Sequence, residues 1–286
     1  MRTILITSGT KGGTGKSTIA LNLSVLAAYR LRDRARYPVI LIDASIDSGS
    51  SSMLLFGQPD PTVQYTLIDL LDGKVVDPLS VFYLRQWQVD ASQFNLVFAA
   101  SGFSSNNRYR PLYPLRNLYN SLTALSPILT IIDSPALGFS SEFLDVTAPY
   151  LTDIIPIVTP DHSSIKATKL AINAAREVNS RINILTPILN MLDERYPIDA
   201  STGVPWIEIV KQEIGAEPHI IPLDEYIQIS RQALEIEILK ISPLESRGVS
   251  EIINYFDKAI SKIIESTLTP TLKGKQDLNR RLDSSS

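Results

Sequence analysis

The stretch Thr10-Lys11-Gly12-Gly13-Thr14-Gly15-Lys16-Ser17-Thr18 decides how this chain is interpreted. It follows the short apolar segment Thr3–Ser8 and opens a helical pattern over Ser17–Leu31. A strand, a glycine-rich turn and a helix N-terminus in this order direct several backbone N–H groups, and the positive end of the helix dipole, to one point. The three glycines let the backbone approach a ligand closely, so the stretch predicts a phosphate-binding loop.

Individual residues of this loop have separate predicted roles. Lys16 is placed to reach the β- and γ-phosphates of a nucleotide, the Ser17 hydroxyl to ligate Mg²⁺, and Thr18 to reach the α-phosphate. The ordinary P-loop pattern requires a glycine where Thr10 stands, and the next residue is a second lysine, Lys11. The predicted nucleotide-binding residues of the loop are Lys11, Gly12, Gly13, Thr14, Gly15, Lys16, Ser17 and Thr18.

Composition narrows the classes of function. The chain has 286 residues, of which 44% are hydrophobic and 20% charged, with a formal net charge of −3. Any DNA contact must therefore be local, because no overall basic field exists. Cysteine is absent and histidine occurs twice, which excludes disulfides, thiol nucleophiles, iron–sulfur ligation and Cys/His zinc sites. The N-terminus lacks a signal-peptide pattern and no apolar run reaches the length of a spanning helix, so we expect a cytoplasmic protein.

Short apolar runs alternate with helical patterns along the chain, which predicts a mainly parallel sheet with helices on both faces. We expect a doubly wound α/β fold of seven to eight strands, in a single domain over residues 1–268 followed by a polar tail over 269–286. The stretch Lys74–Arg116 is expected to form a surface elaboration, and the apolar stripe from Ile252 to Ile264 a docked helix. The predicted strands are Thr3–Ser8, Val39–Asp43, Asn95–Ala100, Leu129–Asp133, Ile154–Thr159, Ile182–Asn190 and His219–Leu223.

Two of these predicted strands end in an acid, Asp43 in one and Asp133 in the other. The carboxyl ends of parallel strands meet at the edge of the sheet where α/β folds bind their ligands, so both acids are expected to face the loop. Asp133 is placed to hold a magnesium-bound water, and Asp43 to orient water or the metal. Either acid could instead cap the turn that follows it.

Lys11, Asp43 and Asp133, in this order, resemble the ParA/MinD family of deviant Walker ATPases, which has the P-loop NTPase fold. The likeness continues to Ile188-Leu189-Asn190, similar to the strand whose asparagine contacts adenine, and to Ile221-Pro222-Leu223-Asp224, similar to the next nucleotide-edge loop. The resemblance implies ATP and Mg²⁺ as ligands, with Asn190, Pro222, Leu223 and Asp224 on the adenine side. It also implies a homodimer in the ATP state, in which Lys11 reaches the partner's phosphates.

The base itself is predicted from one residue. Related GTPases read guanine with an Asn/Thr-Lys-x-Asp segment, and the comparable stretch here is Asn190-Met191-Leu192-Asp193. Met191 replaces the lysine, which favours adenine.

One departure from the family pattern bears on hydrolysis. The family places a second aspartate two residues after the one that matches Asp43, and this chain has Ser45 there. Asp47 is a candidate replacement two residues further on. We therefore expect slow or partner-stimulated hydrolysis, with Lys11, Lys16, Asp43 and Asp47 as the candidate catalytic residues.

Four readings of the function remain open from the sequence. A ParA-type partitioning ATPase would bind non-specific DNA and a DNA-bound adaptor protein, would be nucleoid-associated, and could use the basic cluster Arg30, Arg32, Arg34 and Arg36. A MinD-like membrane-associated ATPase is less expected, because Thr269–Ser286 lacks a basic amphipathic helix pattern. The others are a P-loop metabolic synthetase and a non-hydrolysing ATP-gated adaptor.

Overall fold

The structure, a computed structural model, describes residues 1–46, 50–56, 63–89, 91–102, 110–136 and 141–266. Its strands are β1 Arg2–Thr7, β2 Val39–Asp43, β3 Phe82–Val89, β4 Ser92–Ala99, β5 Leu129–Asp133, β6 Asp153–Val158, β7 Asn183–Ile184, β8 Ile188–Leu192 and β9 His219–Pro222. Its α-helices are α1 Lys16–Arg30, α2 Ser50–Phe56, α3 Leu67–Leu71, α4 Pro114–Leu125, α5 Ser141–Thr147, α6 His162–Val178, α7 Trp206–Ile214, α8 Glu225–Gln232, α9 Glu237–Lys240 and α10 Arg247–Tyr255. Short 3₁₀ turns cover Pro78–Val81 and Ala148–Tyr150.

These strands form one sheet in the order β3-β4-β2-β5-β1-β6-β8-β9, with β7 paired to β6. Every pairing is parallel except that of β3 with β4. Side chains of β1 alternate between the two faces: Ile4 and Ile6 join the core under α1, and Leu5 joins the core under α4, α5 and α6. Burial on both faces explains why the strands are continuously apolar. The predicted doubly wound α/β fold is confirmed.

Within the described residues the sheet has nine strands, where seven to eight were predicted. One reason is that the predicted strand Ile182–Asn190 is two strands, β7 and β8, of which β7 pairs with the first residues of β6 and β8 with its last. Pro187 stands immediately before β8 and has no N–H to donate to a ladder. The chain therefore breaks its pairing there before resuming along the same neighbour.

The other reason is β3, which the sequence analysis placed in a surface elaboration. It forms an antiparallel hairpin with β4 and is the edge strand of the sheet. Its pattern is misleading, because Leu84 is 50% exposed while Arg85 points inward. The Arg85 guanidinium lies 4.5 Å from the centre of the Phe56 ring and donates a hydrogen bond to the Leu55 carbonyl. An arginine with these partners therefore occupies an inward-facing strand position, where a sequence pattern would normally show an apolar residue.

The predicted C-terminal docked helix is confirmed. Helix α10 continues as a π-helix over Phe256–Ile260 and as an α-helix over residues 261–266. Ile252, Phe256, Ile260 and Ile264 are all buried in the core cluster that contains α1. The predicted tail, residues 269–286, lies outside the described residues.

The register of the central strands brings the predicted acids together. β2 and β5 are neighbours, and Asp43 and Asp133 are directly paired residues at the carboxyl ends of these strands. β1 lies on the other side of β5 and leads into the glycine-rich loop. The loop and both acids therefore share one edge of the sheet.

Candidate functional site

The loop between β1 and α1 has the backbone of an anion-binding turn. Gly13 and Gly15 have φ values of 73° and 86°, in the left-handed region that a side chain disfavours. At Gly15 a Cβ would also stand 2.2 Å from the Asn190 amide nitrogen. The loop leads into the first turn of α1, where the N–H groups of Lys16, Ser17 and Thr18 have no helical acceptor. The backbone of the loop therefore has the form that the sequence predicted, and its binding of phosphate stays a prediction.

Ser8, which the sequence analysis did not single out, organises the loop. Its hydroxyl donates to the Lys11 carbonyl at 2.8 Å and accepts from the Thr14 hydroxyl at 2.9 Å and from Lys16 Nζ at 3.0 Å. Lys16 Nζ also donates to the Lys11 carbonyl at 3.0 Å. Burial lowers the pKa of Lys16, and the charge of Asp133 partly restores it. The signal for Ser8 in the sequence was only its position immediately after β1.

The second lysine of the loop has a different environment. Lys11 Nζ donates to the Ser163 hydroxyl at 2.7 Å and lies 3.5 Å from a carboxylate oxygen of Asp161. Both Lys11 and Asp161 have 40% of their side chains exposed. Asp161 is the N-cap of α6, accepting from the Ser164 N–H at 2.8 Å. Partial burial raises the pKa of Asp161, but hydrogen bonds from Ser163, Thr159 and Ser164 and the charge of Lys11 together lower it to about 2. Lys16 therefore lies inside the loop and Lys11 at its rim.

Asp43 is fully buried and surrounded by donors. One carboxylate oxygen accepts from the N–H and the hydroxyl of Ser45. The other accepts from the N–H of Ser52 at 2.8 Å, from its hydroxyl at 2.7 Å, and from the Ser101 hydroxyl at 3.3 Å. Burial raises the pKa of Asp43, and the Ser45 and Ser52 hydrogen bonds oppose that rise. This serine cage, formed by Ser45, Ser52 and Ser101, joins β2 to α2 and to the end of β4.

Asp133 is equally buried but less enclosed. Its Oδ2 accepts from the Ser51 hydroxyl at 2.7 Å, and its Oδ1 is buried without a hydrogen-bond partner among the described residues. Burial and the nearby charge of Asp43 raise the pKa of Asp133 to about 7, while the Ser17 and Ser51 hydroxyls and Lys16 act in the opposite direction. A buried carboxylate oxygen with an open coordination position next to Ser17 and Lys16 fits a hard cation that accompanies phosphate. Asp47, the other predicted acid, lies outside the described residues.

The predicted adenine-side residues meet the loop around a cavity of about 120 Å³. Asn190 donates its amide to the Thr14 carbonyl at 2.9 Å, so it braces the loop. Asp224 caps α8 through one oxygen, and its other oxygen accepts from the Ser246 hydroxyl and the Gly248 N–H, both at 2.8 Å. Their contact with a base stays a prediction. The cavity is lined by Gly13, Gly15, Thr18, Ile19, Asn190, Met191, Pro222, Leu223, Asp224, Ile227, Gln228 and Arg231.

Arg231 is a charged lining residue that sequence reasoning missed. It lies in the last turn of α8, and its Nη1 donates a hydrogen bond to the Thr18 hydroxyl. The two residues are 213 positions apart in the chain, and no motif in the sequence links them. Only the fold shows that a cation faces the first turn of α1.

The predicted basic cluster lies far from this edge. Arg30 ends α1, whose 15 residues separate it from the loop by about 22 Å. Its guanidinium lies 3.7 Å from the carboxylate of Asp257, and that of Arg32 lies 4.7 Å from the centre of the Tyr29 ring. A role of this cluster in DNA binding stays a prediction.

A doubly wound sheet with a glycine-rich loop after its central strand, and with acids on neighbouring strands at the same edge, defines a P-loop nucleotide-binding protein. The family model described as the CobQ/CobB/MinD/ParA nucleotide binding domain matches residues 5–225. The chain belongs to this family.

Similar proteins include two described as septum site-determining proteins and one described as a ParA family ATPase. A Chlorella vulgaris protein described as septum site-determining protein MinD is 27% identical over 221 residues, which are 74% of this chain and 72% of that protein. The structure of MinD from Pyrococcus horikoshii, complexed with Mg-ADP, has a TM-score of 0.67 at 22% identity and covers 92% of this chain and 98% of that one. A ParA family ATPase from Chlorobium tepidum has a TM-score of 0.61 at 20% identity, covering 89% and 97%. At these identities the two structures show the shared fold.

Across the described part of the chain, none of the helices combines the length and the apolar character needed to cross a bilayer.

Proposed function

We propose that this chain is an ATP-dependent dimerising switch ATPase of the ParA type, which binds ATP with Mg²⁺ and hydrolyses it slowly or on stimulation by a partner. The observation that carries the proposal is the contrast between the two lysines of the loop. Lys16 is 6% exposed and bonded inside the loop, whereas Lys11 stands at the rim on two exchangeable polar contacts. A cation at the rim is available to the phosphates of a second chain, where it would neutralise developing charge.

Nucleotide binding is assigned to the loop and to the first turn of α1. The free N–H groups of that turn and the ammonium of Lys16 together favour a polyphosphate. The bracing bond from Asn190 to the Thr14 carbonyl holds the loop against β8, beside the cavity assigned to the base. Relatives of known structure support this assignment, since the Pyrococcus horikoshii protein was solved with Mg-ADP.

Magnesium is assigned to Ser17 and Asp133. Among the described residues, Oδ1 of Asp133 has no hydrogen-bond partner, and this observation fits the ion because a buried carboxylate oxygen without a donor needs a cation or a water held by one. Bound there, Mg²⁺ would neutralise phosphate charge. Asp43 is a weaker candidate for the metal, since both of its oxygens already accept several hydrogen bonds.

Dimerisation requires the Lys11 side chain to give up its contacts within its own chain. Its contacts with Asp161 and Ser163 are exposed, and an exposed ion pair contributes little free energy. The triphosphate of a partner chain carries far more charge than one carboxylate, so exchange of partners is favourable only when that phosphate is present. ATP would thereby favour the dimer over the monomer.

Slow hydrolysis is inferred from Ser45. This residue is 5% exposed, and its hydroxyl donates to Asp43, so it offers no base to an attacking water. Asp47 remains the proposed substitute. If Asp47 does not act, the same observation favours a second candidate function, an ATP-gated adaptor that dimerises without turnover.

The proposed cargo is DNA, bound without sequence specificity by a cytoplasmic, nucleoid-associated dimer that answers to a DNA-bound adaptor protein. The basic cluster Arg30, Arg32, Arg34 and Arg36 supports this proposal, because its positive charge would attract DNA phosphates. It lies at the opposite edge of the sheet from the proposed nucleotide site, so DNA and nucleotide would not compete for the same surface. Relatives named MinD favour an alternative, a positioning ATPase held on a membrane. The two alternatives differ in the surface that the ATP-bound dimer binds, duplex DNA or an anionic membrane.

Light scattering with Mg²⁺ and ATP, ADP or no nucleotide tests the switch. We expect the molecular mass to double with ATP but not with ADP or without nucleotide. In Lys11→Ala we expect no doubling with ATP. Lys169→Ala is the matched control, because Lys169 is an exposed lysine of α6 whose ammonium lies 2.9 Å from the carboxylate of Glu213. A persistent monomer in ATP, or an unchanged dimer in Lys11→Ala, would refute the proposal.

Phosphate release and sedimentation separate the finer alternatives. Turnover that is slow in the purified protein supports the ATPase, and none in any condition, with an ATP dimer still formed, supports the adaptor. Sedimentation with random duplex DNA is expected to require ATP and to fade as salt rises. Sedimentation with anionic vesicles instead of DNA would favour the MinD-like alternative.

A further inference from the structure

A side chain of α8 lies against the loop that is assigned to phosphate. Arg231 lines the same cavity as Gly13, Gly15 and Thr18, and its Nη1 donates to the Thr18 hydroxyl. Thr18 itself is 5% exposed, so the guanidinium covers a nearly closed position in the first turn of α1. This is the turn whose free N–H groups attract an anion.

The hydroxyl of Thr18 is a modest partner for this cation. A guanidinium carries five N–H donors in a planar fork, and that geometry matches the oxygens of a phosphate or carboxylate in a bidentate contact. A neutral hydroxyl accepts from one of these donors. An anionic oxygen brought to the same turn would therefore be the stronger acceptor.

Arg231 is also kept close to α1 by its surroundings. Asn22, one turn after Thr18, donates its amide to Glu237 at 2.7 Å and accepts from the Ile238 N–H at 2.9 Å. Glu237 is completely buried, and the charge of Arg231 acts on it. Helix α9, which follows α8 in the chain, is thus attached to α1 one turn beyond Thr18, and this attachment keeps the end of α8 near the loop.

We propose that Arg231 contacts the nucleotide directly, exchanging the Thr18 hydroxyl for the phosphate that adjoins the ribose. This inference rests on the proposed nucleotide site. The phosphate next to the ribose is the one expected at Thr18, on the side of the loop that faces the base cavity. Lys16 and Lys11 act on the terminal phosphates, and Arg231 adds a third cation at the other end of the chain of phosphates.

The position of the contact has a measurable consequence. ATP and ADP share the phosphate next to the ribose, so the contribution of Arg231 is the same for both. Adenosine has no phosphate and gains nothing from the guanidinium. A residue that only held α8 in place would alter the cavity for all three ligands.

Calorimetric titration of full-length protein in Mg²⁺ with ATP, ADP and adenosine tests the proposal. We expect Arg231→Gln to weaken ATP and ADP by about tenfold each, the loss of one charge-assisted hydrogen bond, and to leave adenosine unchanged. Arg231→Lys keeps the charge and is expected to lose about threefold for both nucleotides. Arg195→Gln removes an equal charge at an exposed arginine paired with Asp193 at 2.6 Å, and is expected to bind as the wild type does.

A lowered melting temperature without nucleotide would identify a folding defect in Arg231→Gln. In that case the binding of Arg231→Lys is compared with that of the wild type. Binding of ATP and ADP within twofold of wild type in both variants would overturn the inference while leaving the nucleotide site intact. An equal loss for adenosine would overturn it in favour of a structural role. Absence of nucleotide binding by the wild-type protein would instead refute the proposed function itself.

Discussion

Asp43 and Asp133 end neighbouring strands, face each other in register and are both completely buried, yet their carboxylates have different surroundings. Asp43 accepts hydrogen bonds from both the N–H and hydroxyl groups of Ser45 and Ser52 and from the hydroxyl of Ser101. Asp133 accepts a hydrogen bond from the Ser51 hydroxyl at 2.7 Å, and its Oδ1 has no hydrogen-bond partner among the described residues. Satisfied hydrogen bonds make a buried acid structural, and an unsatisfied oxygen makes it a candidate ligand. Strand position alone does not distinguish these two roles.

The largest expected effect is on folding. Asp43→Ala leaves the serine cage without its acceptor, and we expect the free energy of unfolding to fall by about 4 kcal/mol. Asp133→Ala should cost about 1 kcal/mol, and Asp43→Asn should recover most of the loss by accepting some of the bonds. Urea unfolding in metal-free buffer at pH 7 measures all three. Equal losses for the two alanine variants would remove the distinction between the acids.

Metal-dependent binding should show the opposite ranking. Asp133→Asn is expected to weaken ATP binding in Mg²⁺ by about 10- to 100-fold, the usual cost of removing a group that holds a metal or its water. Asp43→Asn should stay within about threefold. Titration of ATP in Mg²⁺ and in a chelator isolates the metal-dependent part. If Asp43→Asn were as damaging as Asp133→Asn, Asp43 would also belong to the metal site, as the sequence suggested.

The pH dependence of stability sharpens the comparison. The pKa of Asp133 is raised to about 7, so the stability that its neutral form provides is complete below the unfolded pKa of 3.8 and is lost as pH rises towards 7. Relative to Asp133→Asn, the wild type should therefore lose on the order of 2 kcal/mol between pH 4 and 8 without metal. Denaturation series for both proteins measure this difference, and Mg²⁺ should shrink it. Parallel curves would contradict it.

The smallest expected effect separates two adjacent serines. Ser52→Ala removes a donor from Asp43 and should lower the free energy of unfolding by about 1 kcal/mol, with metal-dependent binding unchanged. Ser51→Ala removes a donor from Asp133 and should cost about 0.5 kcal/mol, with a measurable change in metal-dependent binding. Chemical denaturation and ATP titration of both variants provide the matched pair. Identical behaviour would show that the two carboxylates are not independent.

The elements that sequence predicted well are those with local causes. The phosphate loop depends on contiguous glycines, on the preceding strand and on the first turn of α1, and all of them lie within Thr3–Leu31. The acids at the strand ends were placed correctly because parallel strands share one carboxyl edge. The errors arose where the pattern depended on distant partners. Arg85 in β3 faces inward, where its guanidinium contacts the Phe56 ring and donates a hydrogen bond to the Leu55 carbonyl, and both partners come from another element.

By itself, the sequence determined the fold class, the loop with its two lysines, and the edge of the sheet where Asp43 and Asp133 lie. These follow from periodicity and from backbone chemistry between neighbours in the chain. Only the tertiary structure decided that Asp43 is enclosed by Ser52 and Ser101, 9 and 58 residues away, and that Arg231 reaches Thr18 across 213 residues. Hydrogen bonds to a buried carboxylate depend on which side chains the fold brings within about 3 Å, and separation along the chain does not predict which ones these are.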